Sequence, residues 1–176
     1  MVKIIYTLLI VVFMVHEFEE IIVLNIWLIK EKDHLQKNFP KIGTKIYLQY
    51  SKFTTAGLAL AIAEEFILIS LFIYLAILLP NMYIWAAILI GLSIHFFVHI
   101  ISWIIYKKFV PAAITSILAL PYCVYGLIVY VNNETYKIGM LIIYTIIVII
   151  IFLINLRFMH YLGKRFSNWE KKHGDK

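Results

Sequence analysis

Five stretches of the chain stay apolar for long enough to cross a bilayer: residues 4–29, 53–79, 82–106, 112–131 and 138–161. Each is near or above the roughly 20 residues that a helix needs to span a hydrocarbon core of about 30 Å. The pattern predicts an all-α integral membrane bundle of five transmembrane helices in a single membrane domain over residues 1–176. A basic loop at 30–52 and a basic C-terminal tail at 163–176 complete it. The Pro80-Asn81 turn makes the second and third helices a tight antiparallel hairpin. Pro111 suits the first turn of the fourth, and Pro121 predicts a kink in its middle. The first stretch lacks a small-residue cleavage site and stays apolar after Glu20, so it is expected to be retained as a helix.

The break in that first stretch is its most informative feature. His16-Glu17-Phe18-Glu19-Glu20 puts four ionisable groups into five residues about halfway across the segment. A charged side chain near the bilayer centre costs at least a few kcal/mol, so such groups face a partner, a cavity or an ion. On a helix His16, Glu19 and Glu20 stand at i, i+3 and i+4 and share a face, while Glu17 points about a quarter turn away.

Composition sharpens the class. Hydrophobic residues make up 63% of the 176, mean hydropathy is +0.90 and only 15% are charged, which excludes a water-soluble domain. The net charge of +6 does not mark a nucleic-acid partner, because the basic residues flank the apolar stretches and face membrane lipids. Fourteen of the sixteen fall on one side, in the 30–52 loop, at Lys107 and Lys108, and from Arg157 onwards. The positive-inside rule makes that side cytoplasmic, with the N-terminus outside and the C-terminus inside. The expected location is a cell membrane, crossed several times, and the Ile/Lys-rich usage suits a bacterial plasma membrane. Asn133-Glu134-Thr135 reads as a glycosylation sequon on the outer loop. The single Cys123 excludes an internal disulfide.

With orientation set, depth can be compared across helices. Glu64 and Glu65 interrupt the second, and His95 and His99 stand at i and i+4 in the third. At about 1.5 Å of rise per residue, Glu20, Glu64, Glu65, His95 and His99 lie roughly 10–18 Å from the cytoplasmic boundary, and His16 near 20 Å. Three helices thus bring imidazoles and carboxylates to one layer. Ala56, Gly57, Ala59, Ala61 and Ala63 let the second helix approach its neighbours, and Gly91, His95, His99 and Ser102 give the third a small, polar stripe. Tyr122, Tyr125, Tyr144 and Asn155 are expected to wall the site from the last two helices. His34, His160 and His173 read as surface residues.

His16, Glu19 and Glu20 also carry a resemblance. The string is similar to the motif of the HXXEE family of small multi-pass membrane proteins, and its central position in a first membrane helix makes the match specific. Membrane character and compact size are what the resemblance implies for the whole chain. It supports the importance of these three residues and names no reaction.

Mixed imidazole and carboxylate donors without thiolates suit a transition metal, one or two ions of zinc, iron or manganese. The expected ligands are His16, Glu19, Glu20, Glu64, His95 and His99. Glu65 or Glu17 is expected to serve as general acid/base or to orient a ligand. The order of residues differs from the Glu-x-x-His of di-iron bundles and from the His-Glu-x-x-His of zinc proteases. The leading expectation is a metal-dependent integral membrane enzyme acting on a lipid or other apolar substrate. Zinc would make it a hydrolase and iron a di-iron-type oxidoreductase. The alternative is a proton- or cation-coupled transporter using the same His/Glu cluster.

Overall fold

The fold is that of a computed structural model, which describes residues 2–132 and 137–174; the Asn133-Glu134-Thr135 sequon lies outside the described residues. Among the described residues six helices follow in chain order: α1 (Val2–Asn38), α2 (Ile42–Tyr50), α3 (Thr55–Leu78), α4 (Met82–Tyr106), α5 (Ala113–Val131) and α6 (Ile138–His173). Four of them, α3 to α6, are long and apolar enough to cross a membrane, which gives the chain the character of a membrane protein. The acids of α1 keep it out of that set on composition alone. Its outer face is nonetheless an apolar stripe, with Ile4, Val11, Val15, Phe18, Ile22 and Ile26 all exposed, while His16 and Glu17 are buried.

Two expected non-helical segments are helical. Most of the basic stretch at 30–52 belongs to the end of α1 and to α2, and α6 carries the basic tail as far as His173. The hydropathy of these segments marks where apolar surface ends, not where the backbone hydrogen bonding ends. A tight turn returns α2 along α1: a Cβ on Gly43 would stand 2.3 Å from the Leu35 carbonyl oxygen, so only glycine fits.

Caps set the hairpin between α3 and α4. Thr54 Oγ1 accepts from Gly57 N at 3.0 Å to start α3. Asn81 Oδ1 accepts from Tyr83 N at 2.9 Å and from Ile84 N at 3.3 Å to start α4, as an N-cap side chain should. Pro121 lies inside α5, which runs through it.

By contact, the five long helices close a ring in the order α1, α3, α6, α4, α5 and back to α1; α4 also meets α1 across the interior. The α3–α6 crossing is the tightest place in it. A Cβ on Gly57 would fall 2.7 Å from the Gly163 carbonyl oxygen, and one on Gly163 would fall 2.6 Å from that of Gly57. Small residues here let two backbones touch, as membrane helices commonly do. Ser167, fully buried, donates to Gly163 O at 2.8 Å and accepts from Thr54 N at 3.0 Å, tying α6 to the first turn of α3.

The buried apolar residues form two separate clusters. One contains Leu9, Phe13, Ile69, Ile73, Trp85 and Phe96; the other contains Leu24, Trp27, Phe53, Ile62, Tyr106 and Met159. Along α1 the break falls between Met14 and Ile21, and along α3 between Ile62 and Phe66. Those gaps hold His16, Glu17, Glu19 and Glu20 on α1, and Glu64 and Glu65 on α3. The core is divided by a polar layer.

Candidate metal centre

Two helices supply the centre of that layer. One donor atom from each of His16, Glu20, His95 and His99 can be chosen so that all four lie within 4.8 Å of one another. His16 and Glu20 stand one turn apart on α1, His95 and His99 one turn apart on α4, so each helix offers an i, i+4 pair. The three imidazoles meet edge to face: ring centroids are 5.0 Å apart for His16–His95 and His16–His99, and 4.7 Å for His95–His99. Phe96 closes the other side of His16 at 4.7 Å.

Hydrogen-bond bookkeeping shows which atoms are free. His99 Nδ1 lies 3.0 Å from the carbonyl oxygen of Pro111. A carbonyl only accepts, so Nδ1 carries the proton and Nε2 keeps its lone pair. That Nε2 is 3.9 Å from Glu20 Oε2, too far for a hydrogen bond but a natural spacing for two ligands of one ion. His16 Nε2 and His95 Nε2 are both buried with no hydrogen-bond partner among the described residues. Buried polar atoms are nearly always paired, so these two nitrogens are the atoms of the group open to a further partner. Four ligands set tetrahedrally around one ion at about 2.0–2.2 Å stand roughly 3.3–3.6 Å apart, so closing the set on an ion draws its widest pair together by about an ångström.

The other acids divide. Glu19 turns to α5: its Oε2 accepts from Thr115 N at 2.8 Å and from Thr115 Oγ1 at 2.7 Å. It therefore supplies from α1 the cap that α5 lacks at its own start, where Ala112 offers no side-chain acceptor. Ala112 sits in the left-handed region at φ 63°, a conformation that costs a non-glycine residue about 1–2 kcal/mol. This turn sets Pro111 against His99 and Thr115 against Glu19. Strain next to converging ligands is a recurrent companion of function.

Glu64 accepts from Asn155 Nδ2 of α6 at 3.0 Å and is outside the four-residue group. Glu17 is buried with Oε1 3.8 Å from His95 Nε2, at the rim of the group. Glu65 lies close enough to Glu17 and Glu20 to interact with their charges, and Tyr50 of α2 is close to all three. Of the six expected ligands four converge, while Glu19 and Glu64 are held by α5 and α6; both expected acid/base residues border the group.

Thr115, Ser116 and the Pro111 carbonyl are not among the acids and histidines that the sequence brings to one depth. The signal for the first two was a Thr-Ser pair in the first turn of an apolar helix, too near the boundary to enter the depth comparison. His34 and His160 are half-buried rather than surface residues: His34 stands edge-on to Tyr106 at 4.7 Å, and His160 packs on Tyr50 and Phe53, each at 5.7 Å.

Outside the layer, a latch joins α1 to the α4–α5 loop. Trp27 Nε1 donates to Phe109 O at 2.7 Å, and Glu31 Oε2 accepts from Tyr106 OH and Lys108 Nζ, both at 2.9 Å. The hydrogen bond from Lys108 holds the Glu31 carboxyl below the usual carboxylate range in spite of its burial. The loop that aims Pro111 at His99 is thereby pinned at its α4 end.

Neither a curated protein nor a solved structure matches the chain. A family model does match, over residues 7–126, a span that includes all four converging side chains and their partners Pro111, Thr115 and Ser116. On that match the chain belongs to the family described as proteins of unknown function with the HXXEE motif.

Proposed function

We propose that this protein is a metal-dependent integral membrane enzyme, with one transition-metal ion held by His16, Glu20, His95 and His99. The observation that carries the reading is the convergence of three imidazoles and one carboxylate whose free nitrogens have nothing else to bind. Zinc, iron and manganese all suit such donors. One ion is favoured over two because Glu19 Oε2 accepts from Thr115 and Glu64 Oε2 from Asn155, while Glu19 Oε1 is buried without a hydrogen-bond partner among the described residues. The bound ion would supply an activated water if it is zinc, or redox chemistry if it is iron. Around it, Glu17, whose Oε1 is 3.8 Å from His95 Nε2, and Glu65 would serve as proton acceptors.

In this reading α1 is the fifth spanning helix: its acids turn inward and its outer stripe is apolar. The basic distribution puts the N-terminus outside and the C-terminus in the cytoplasm of what the residue usage suggests is a bacterial cell. The His95 side chain is 42% exposed although its Nε2 is shielded, so the rim of the centre is reachable from outside the bundle. A substrate arriving there through an apolar surround is a lipid or another apolar molecule.

Metal analysis of protein purified in detergent and never exposed to chelator tests the centre. About one equivalent of a transition metal is expected, and less than about 0.2 equivalents of any would overturn it. Loaded protein is then incubated with membrane lipid extract and the products are read by mass spectrometry. Metal or proton flux across liposomes, with the lipids unchanged, would assign the centre to transport instead of catalysis.

A further inference from the structure

His16 Nδ1 faces two hydroxyls of α5, Thr115 Oγ1 at 3.3 Å and Ser116 Oγ at 3.4 Å. Each hydroxyl has one proton to give. That of Thr115 goes to Glu19 Oε2 at 2.7 Å, the shortest of its contacts and the one to a carboxylate. That of Ser116 goes to the Ala112 carbonyl oxygen, also at 2.7 Å. Neither is left for His16, so both hydroxyls accept there and His16 Nδ1 is the donor. The chain runs in one direction, from His16 Nδ1–H to Thr115 Oγ1 and from the Thr115 hydroxyl to Glu19 Oε2.

We infer that Thr115 is a positioning residue for the metal centre: its hydroxyl connects Glu19 to His16 and holds the imidazole with Nε2 free to ligate. The inference rests on the centre proposed above. Ligating histidines commonly donate their second nitrogen to a carboxylate, which fixes the ring and raises its basicity. Here Glu19 stands one turn from His16 on the same helix, and a hydroxyl from α5 bridges the two. The first acid of the motif's Glu-Glu pair thus serves the centre through Oε2, leaving Oε1 buried without a hydrogen-bond partner among the described residues. The same carboxylate caps α5, so the first turn of α5 and the orientation of His16 are set by one group.

Cobalt(II) titration of the full chain in detergent, after removal of bound metal, tests this through the visible bands of the ion. Thr115→Val removes the hydroxyl and keeps the shape; it should weaken cobalt binding by about 10- to 100-fold, the usual cost of losing such a partner. Thr115→Ser should stay within about 3-fold of wild type, which loss of packing alone would not explain. Equal affinity in Thr115→Val and wild type would overturn the role of Thr115, whereas no cobalt uptake by wild type would overturn the centre itself. A second measurement needs no variant. In zinc-loaded wild type labelled with 15N-histidine, the ring assigned to His16 by its contacts with Thr115 and Ser116 should carry its proton on Nδ1. A zinc-bound Nδ1 there would overturn the inference.

Discussion

His99 donates from Nδ1 to the Pro111 carbonyl at 3.0 Å, and this contact makes the α4–α5 loop part of the centre. Proline has no N–H to give, and its carbonyl, just before the strained turn at Ala112, points back to the helix the chain has left. The ring is thereby oriented by the backbone of the segment that Trp27 and Glu31 pin from α1. Three independent stretches of sequence cooperate in aiming one nitrogen.

If His16 and Glu20 bind the same ion, His16→Ala and Glu20→Ala should each reduce metal content to background, and the double variant should be no worse. Residues acting as a unit are non-additive, so the second loss has nothing left to remove. Glu64→Gln should keep its metal, because that carboxylate is occupied by Asn155 outside the group. Elemental analysis of the four variants beside wild type decides, and equal metal in His16→Ala and wild type would remove His16 from the centre.

The layer itself was legible in the sequence because charge in an apolar helix is rare and depth follows from simple counting. His16, Glu20, His95 and His99 met on that ground. Direction round a helix was less legible: Glu19 and Glu20 are adjacent, and only the position of α5 decides that one turns to Thr115 and the other to His99. Likewise the pairing of Glu64 with Asn155 depends on α6 touching α3, which the glycines at 57 and 163 permit but no pattern along either helix announces. The helical nature of 42–50 was hidden by the basic stretch it lies in, with Lys41 and Lys52 flanking it and Lys45 within, since hydropathy marks solvent exposure and not backbone conformation.

Glu19 as a cap for α5 predicts a stability effect separable from metal. Glu19→Ala leaves the Thr115 N–H without its acceptor and should cost about 1–2 kcal/mol in the metal-free protein. Glu19→Gln, whose amide oxygen still accepts, should cost less. Thermal unfolding in detergent measures both, and an Ala variant as stable as wild type would refute the capping role.

The α3–α6 crossing should tolerate no side chain. Gly163→Leu sets a branched group against the Gly57 carbonyl and the Phe53 ring, both within 2.6 Å of the new Cβ. Overpacking typically costs about 1–3 kcal/mol and here forces two backbones apart, so the upper end is expected. Gly139→Ala on the same helix meets nothing within 4 Å and serves as the control, expected to be neutral or slightly stabilising. Comparable unfolding temperatures for the two variants would contradict the close crossing.

The Glu31 latch predicts a pH dependence whose sign follows from its lowered carboxyl. The Lys108 hydrogen bond favours the ionised form in the folded chain, with Tyr106 adding to it and burial opposing. A group whose pKa is lower folded than unfolded adds stability above its unfolded value, about 4.3 for glutamate, and loses it as pH falls through the folded one. Wild type should therefore be more stable than Glu31→Gln near pH 7, and the gap should close as the pH drops below about 4. Lys108 is 48% exposed, so solvent and salt screen the pair and the gap near neutral pH should shrink as salt is added. Unfolding temperatures of both proteins across that range provide the readout. A gap that widened towards acid would mean that Glu31 is protonated in the latch and that Lys108 is not its partner.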